Sequence, residues 1–417
     1  MMSTVIYLDH NATTSIGPEV LEAMIPYLTT EWGNPSSSYK FGSKLKGVLE
    51  LAREQVAELI GAHGREVIFT SCATESNNAA IHAALQATGK RHIITSAVEH
   101  SSVLNYCKAL EGNHGSHGYA EGGTDRRAVR ERQAIYHETH EQHESGYRVT
   151  YLPVDRDGLL KLADLENAIT DDTAVVSLMW ANNETGVLFS VKEIAEICRA
   201  HGVLFHCDAV QAAGKIEIDV SREGGMPVDY LSITGHKFHA PKGVGALYVR
   251  RETPFSPLIV GGHQERGLRG GTESVPLIVG LGKAAELARK HLPCYEKKVR
   301  PLRDALEEGI LSSIPNTELN GHPADAGHRL ANTSNITFRG IESEALLILL
   351  DQEGICASSG SACLADSDEP SHVVKAMKPE STASRQMIRF SLDFTNTDAE
   401  VSSAINAVRR SVKALLD

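Results

Sequence analysis

Two hydrophobic patterns alternate along the first two thirds of this chain. Short apolar runs occur at Val67–Phe69, His92–Ile94, Ala174–Met179, Val203–Phe205 and Tyr230–Ile233. Between them lie stretches with apolar residues three and four positions apart, as at Leu45, Val48, Leu49, Ala52, Val56 and Leu59. The first pattern predicts buried strands and the second amphipathic helices, so together they read as βαβ units around a largely parallel sheet. Gly245–Val249 reads as an antiparallel partner. The last third changes character: helices are expected near 297–313, 343–353 and 398–416, around shorter strands, as in a smaller α+β domain.

Each expected strand runs into a polar turn. Thr70–Asn77, Glu99–Ser102, Asn182–Gly186, Asp208–Gln211 and Gly235–Lys237 close the five runs in order. In an open α/β sheet the carboxyl ends of the strands form the ligand crevice. Hydroxyls, amides, a carboxylate, imidazoles and a lysine are thereby sent to one edge.

Composition narrows the class. A chain of 417 residues exceeds one core, so one large and one smaller domain are expected. No apolar run approaches the roughly 20 residues of a bilayer span, and no basic n-region or Arg-rich transit segment opens the chain. A formal charge of −12 argues against nucleic acid. Seven scattered cysteines do not form a disulfide framework, and no pair has zinc-ligand spacing, so no metal is expected. These features read as a reduced, cytoplasmic enzyme with no membrane partner.

The candidate chemistry is that of an aldehyde cofactor. Lys237, after an apolar strand and a polar turn, suits a Schiff base, although many buried-looking lysines merely snorkel. Ala73 and Thr74 open a helix directly after a strand, which suits a phosphate as well as a plain N-cap. Asp208 can hold a protonated ring nitrogen or cap the chain locally. Gln211, one turn on, and Asn183 can reach a phenolic oxygen. Cys363, in the Ser/Gly/Ala run Ser358–Cys363, is placed to act as a mobile nucleophile. Cys72, Cys198, Cys207 and Cys356 read as small buried hydrophobes.

The motifs YLDHNATT (7–14), GNPSS (33–37), FTSCATESN (69–77), EH (99–100), WANNETG (180–186), HCDAVQAAGK (206–215), GHKFHAPKGVGALYVRR (235–251), GGHQERGLRGGTE (261–273), SSGSAC (358–363) and IRFSL (388–392) run in order through nearly the whole chain. In these it resembles the cysteine desulfurases, fold-type I pyridoxal phosphate enzymes of the class V aminotransferase superfamily, and most of all their nitrogenase and iron–sulfur-assembly branch. The resemblance implies an α/β fold: a large domain (16–290) with a mostly parallel seven-stranded sheet flanked by helices, and a small domain (1–15 and 291–417) carrying the cysteine loop. It implies pyridoxal 5'-phosphate as cofactor and L-cysteine as substrate. Lys237 would be the Schiff-base lysine, Asp208 the pyridinium partner, Gln211 the phenolic-oxygen contact, and His100 the ring-stacking, proton-moving histidine. Thr74, Thr234 and His236 would hold the phosphate, with Thr272 reaching in from the second subunit of a homodimer. Arg389, with Asn183 and Asn34, would fix the substrate carboxylate. Cys363 would take the sulfur as a persulfide, and the long run Leu364–Glu369 would carry it to an acceptor or scaffold protein.

One segment departs from that pattern. A helix-to-strand connection between Leu110 and Arg148 has grown into EGNHGSHGYAEGGTDRRAVRERQAIYHETHEQHES (111–145), Gly-rich and then charged and helix-like. Its histidines 114, 117, 137, 140 and 143 leave a solvated excursion, a regulatory metal site and a partner-docking arm all open. Sister activities stay open too: a selenocysteine lyase shares nearly every motif, a class V aminotransferase would not need SSGSAC, and a persulfide carrier would not need turnover.

Overall fold

The computed structural model describes residues 5–112, 146–221, 223–323, 327–360 and 370–417. From position 113 onward the charged insert lies outside the described residues, as does Cys363.

The central sheet has seven strands: β2 (Val67–Thr70), β3 (His92–Ser96), β4 (Arg148–Leu152), β5 (Thr173–Met179), β6 (Leu204–Asp208), β7 (Tyr230–Thr234) and β8 (Gly245–Val249). Their order is β2-β8-β7-β6-β5-β3-β4, and β8 alone runs antiparallel to its neighbours. Because β8 separates β2 from β7, the two reversals cancel. The carboxyl end of β2 therefore reaches the same sheet edge as those of β3, β5, β6 and β7, and the five polar turns share one rim.

Several strands outrun their apolar runs. The run Val203–Phe205 becomes a strand ending at Asp208 because His206 is satisfied inside the sheet: Nδ1 lies 2.8 Å from Ser177 Oγ and Nε2 2.9 Å from Ser232 Oγ, on the strands to either side. His92 does the same between Thr173 and Thr150. A buried polar residue with both partners costs little, so hydrophobicity alone understates the strand. At the sheet edge, β2 is tied down by side chains. Arg53 donates to Val67 O at 3.0 Å and in a fork to Glu265 at 2.6 and 2.9 Å, and Glu265 Oε2 accepts the Phe69 N–H at 2.9 Å. An edge strand with its backbone so occupied offers little to a second chain.

Helices cover both faces of the sheet. They include α1 (Pro18–Thr29), α2 (Lys40–Ser43), α3 (Leu45–Leu59), α4 (Ala73–Thr88), α5 (Ser101–Leu110), α6 (Leu162–Ala168), α7 (Val191–Ala200) and α8 (Val275–Cys294). The helix expected at 297–313 is the end of a longer helical run: α8 passes through one π-helical turn at Tyr295–Val299 into α9 (Arg300–Ser313). A second core, from Leu8 and Tyr295 to Val412, packs under a three-stranded sheet of β9 (Thr317–Leu319), β10 (Thr333–Phe338) and β12 (Met387–Ser391). A two-stranded pairing of β1 (Ile6–Tyr7) with β11 (Ile355–Cys356), α10 (Ser343–Gln352) and α12 (Asp398–Leu416) complete that core. Between β11 and β12, α11 (His372–Met377) turns back, and its Val373 and Met377 pack into the core of the large sheet. Among the described residues no helix is long and apolar enough to cross a membrane.

Helices α3 and α8 meet at Gly282, where an added Cβ would sit 2.6 Å from Ala52 Cα and 2.8 Å from Ala52 Cβ. Backbone cannot yield as a flexible side-chain tip can, so Gly282→Ala must push the helices apart. We expect it to lower stability by about 1–3 kcal/mol in urea denaturation; an unchanged midpoint would show that the pair is loosely packed.

Candidate active site

The strand-end turns surround a cavity of about 200 Å³. Ala73, Thr74, His100, Asn183, Asp208, Gln211, Thr234, His236, Lys237 and Arg389 all line it, so the structure brings ten of the thirteen expected residues together. Lys237 comes directly after β7 on a single 3-10 turn, and its Nζ donates to Asn11 O at 2.6 Å and Ala12 O at 2.8 Å. Two carbonyls therefore aim the amine.

Asp208 ends β6, buried. Its Oδ1 accepts the Val210 N–H at 3.0 Å and its Oδ2 the Asn77 amide at 2.7 Å. Burial pushes this carboxyl up, opposed by those two hydrogen bonds and by the charge of Lys237. The Asn77 amide also donates to Ser102 Oγ at 2.9 Å, and Ser102 Oγ lies 2.8 Å from His100 Nδ1. His100 is the N-cap of α5, so Nδ1 also accepts the Ser102 N–H at 3.2 Å. With Nδ1 an acceptor, the imidazole proton sits on Nε2. Burial, then the charges of Lys237 and His372, bring His100 down to about 4, so the ring is neutral at physiological pH. His236 is likewise neutral, brought to about 3 by burial and Lys237.

Helix α4 begins at the cavity wall with no side-chain cap. Its first N–H groups, with Thr74 beside them, are of the kind that can hold an anion. On the opposite wall, Arg389 comes from β12 of the small sheet. It is 1% exposed and donates to Asp9 Oδ1 at 2.6 Å and Asn183 O at 3.1 Å. Its Nε and the Asn183 Oδ1 are buried without a hydrogen-bond partner among the described residues. A guanidinium lining a cavity is suited to a carboxylate.

Three expected residues are not in this cluster. Asn34 is exposed, and its Oδ1 accepts the Ser36 N–H at 2.9 Å. Thr272 is exposed on a neighbouring cleft beside Ser71 and Gly271. Cys363 lies outside the described residues. Conversely, Asn11, Asn77 and Ser102 hold the functional groups in place yet carried no assigned role. Each stood inside or beside a recognised motif, but Asn77 meets Ser102 and Asp208 across 25 and 131 residues of sequence and Asn11 meets Thr333 across 322.

The aminotransferase class-V family matches residues 6–117 and 129–403, interrupted only by a piece of the insert. The chain is 50% identical to cysteine desulfurase 2 of Trichormus variabilis over 413 residues, 99% of this chain and 94% of that one. It is 45% identical to the cysteine desulfurase NifS of Azotobacter vinelandii over 405 residues, 97% and 91% of the two. The chain belongs to the class-V aminotransferases, among the cysteine desulfurases. A solved structure described as SspA in complex with cysteine superposes with a TM-score of 0.74 at 34% identity, covering 93% of this chain and 99% of that one. Cysteine desulfurases act on L-cysteine, and the family is generally dependent on pyridoxal phosphate. The donor set of the cavity suits that cofactor: an uncapped helix start for a phosphate, a buried carboxyl for a ring nitrogen, and an amine for an aldehyde.

One buried group nearby sets a pH dependence. Glu99, at the turn after β3, is 0% exposed; its Oε1 accepts from Ser96 Oγ at 2.6 Å and from the Met179 N–H at 3.1 Å. Burial pushes its carboxyl up to about 8, those bonds opposing and Asp208 adding to the rise. The folded state thus keeps a proton that the unfolded chain releases near the usual carboxylate value. Stability from this group is complete below about 4.3 and is lost as pH rises through 8, with a slope of at most about 1.4 kcal/mol per pH unit. Urea midpoints should show Glu99→Gln gaining on the parent from pH 5 to pH 8. A constant difference between the two would mean that Glu99 is ionised in the fold.

Proposed function

We propose that this cysteine desulfurase binds pyridoxal 5'-phosphate in the cavity at Lys237 and moves the sulfur of L-cysteine to Cys363. The observation that carries the reading is the meeting of Lys237, Asp208 and Arg389 around one cavity, with Lys237 Nζ 2.6 and 2.8 Å from two backbone carbonyls. When bound, the cofactor supplies an electron sink that makes the substrate Cα proton removable. Asp208 holds the ring nitrogen protonated. The α4 N-terminus, Thr74, Thr234 and His236 hold the phosphate, and Gln211 meets the phenolic oxygen, with Asn183 beside it. His100 would stand beside the ring, its neutral imidazole keeping a proton at Nε2 for transfer.

Arg389 fixes the substrate carboxylate with its guanidinium, assisted by Asn183. The Lys237 amine would take the Cα proton at Nζ. The Cys363 thiolate then attacks the substrate sulfur. A Sγ–S bond forms, the Cβ–S bond breaks with its electron pair left on carbon, and protonation of that carbon yields alanine. Cys363 is left as a persulfide, to be passed to an iron–sulfur scaffold or another sulfur acceptor. The Ser/Gly composition of 358–361 suits a cysteine that must serve both a cavity and an acceptor.

A homodimer is part of the proposal. Trp32 is 71% and Val260 83% exposed, and Leu21, Ile25 and Leu28 stand exposed on α1. Apolar side chains on that scale favour a second copy. Thr272 then joins the phosphate site of the facing subunit, and Asn34 the substrate site. We place the protein in the cytoplasm, because the six described cysteines are all free thiols.

Equal amounts of alanine and, with a thiol reductant, sulfide are expected from L-cysteine. Cys363→Ala should retain the cofactor yet lose at least about 100-fold in rate and form no protein persulfide. Alanine release by Cys363→Ala at the parental rate would remove Cys363 from the chemistry. Turnover of selenocysteine alone, or amino transfer to a keto acid, would assign the chain to a sister activity.

A further inference from the structure

Lys215 ends the stretch HCDAVQAAGK, and the proposed mechanism gives it no task. It is a lysine 4% exposed, and among the described residues it forms no ion pair. It does not line the cavity, where Lys237 does. Its Nζ instead donates to Gln211 Oε1 at 2.6 Å and to Asn11 Oδ1 at 3.2 Å. Burying an ammonium against two amide oxygens is expensive unless the arrangement does something.

Its effect is on the two amides. The Gln211 oxygen faces the ammonium, so its nitrogen must face the other way. One Nε2–H then goes to Asn11 O at 3.0 Å, and the second is left for the cavity that Gln211 lines. The reverse orientation would set an NH₂ group against an NH₃⁺ group. An amide whose two ends are otherwise nearly interchangeable is thus fixed as a donor. Asn11 is fixed in the same manner. Its Oδ1 accepts from Lys215 and from Asn332 Nδ2 at 3.0 Å, and its Nδ2 donates to Thr333 Oγ1 at 2.8 Å and Asn183 O at 3.1 Å. The backbone carbonyl of that same Asn11 receives Lys237 Nζ.

We propose that Lys215 is a positioning residue of the active site: its ammonium locks Gln211 as a hydrogen-bond donor and Asn11 as the platform of Lys237, so that the cavity favours an anionic oxygen on the bound ring. This rests on the reading of the cavity as a pyridoxal phosphate site. The charged and titratable groups around Lys215 are Lys237, Arg389, Asp393, His10, His236 and His239. Two of the histidines, His10 and His236, are held towards the neutral form by burial, and His239 is paired with Asp393 at 3.3 Å. Burial and Lys237 bring Lys215 itself down to about 7. Its charge is therefore fully present only on the acid side of neutrality. Loss of the Gln211 donor and loss of a nearby positive charge act in one direction: both let the ring system keep its proton to higher pH.

The test is a spectroscopic pH titration of the protein loaded with pyridoxal phosphate, read from the visible absorption. Lys215→Met should move the midpoint up by on the order of one pH unit, the worth of one such hydrogen bond. Lys215→Arg, which keeps the charge, should restore it at least halfway. In a Gln211→Leu background the Lys215→Met shift should shrink to less than half, because the lysine acts through that amide. A folded, loaded Lys215→Met with an unmoved midpoint overturns the proposal, as does a shift undiminished in the Gln211→Leu background. If Lys215→Met does not fold, Lys215→Gln, uncharged and of similar reach, carries the same expectation and the same refutation. A parent protein that takes up no cofactor would sink the cofactor reading itself, a failure visible before any variant is made.

Discussion

The backbone carbonyl of Asn11 is the point on which the active site turns. It receives Lys237 from the large sheet and Gln211 from the turn after β6, while the Asn11 side chain reaches Thr333 on the small sheet. Residues 9–12 cross between the two cores: Leu8 is buried in one, and Asp9 and Asn11 meet Arg389 and Ser391 at the end of β12. A short segment with this many partners is hard to shift in any direction. The lysine aimed by it and the arginine facing it are therefore held at a fixed separation, and that is the condition for gripping one small amino acid by both its nitrogen and its carboxylate.

Polar groups are buried here at a density that would be costly if any were left unpaired. The chain Asp208–Asn77–Ser102–His100 meets that demand by sharing: one asparagine serves both a carboxylate and a serine, and the serine settles the tautomer of the histidine. Such networks are rigid because each member has one satisfactory orientation. Arg389 Nε and Asn183 Oδ1, on residues that line the cavity, are left without a hydrogen-bond partner among the described residues, as is Asn77 Oδ1 within the network itself.

Much of this was legible in sequence because a parallel sheet gathers the turns at its strand ends. Lys237, Asp208, His100, Thr74 and Asn183 each stand at or just beyond the end of an apolar run, and the topology alone brings them to one rim. The strand ends were less legible, since His206 and His92 look like interruptions until their cross-strand serine and threonine partners are known. Asn11 and Lys215 were in recognised stretches; Lys215 meets Gln211 only four residues away, but Asn11 reaches Gln211 and Lys215 across 200 and 204 residues of sequence. Asn34 and Thr272 are exposed away from the cavity, and the role proposed for Thr272 needs a second copy of the chain, which no pattern along a single chain displays.

The central claim is that Lys237, and not its buried neighbour Lys215, is the amine that meets the cofactor. Borohydride reduction of the protein loaded with pyridoxal phosphate, followed by peptide mass mapping, tests it directly. A phosphopyridoxyl mass on Lys237 with Lys215 unmodified is the result expected. The same mass on Lys215, or none on either lysine, would contradict the claim.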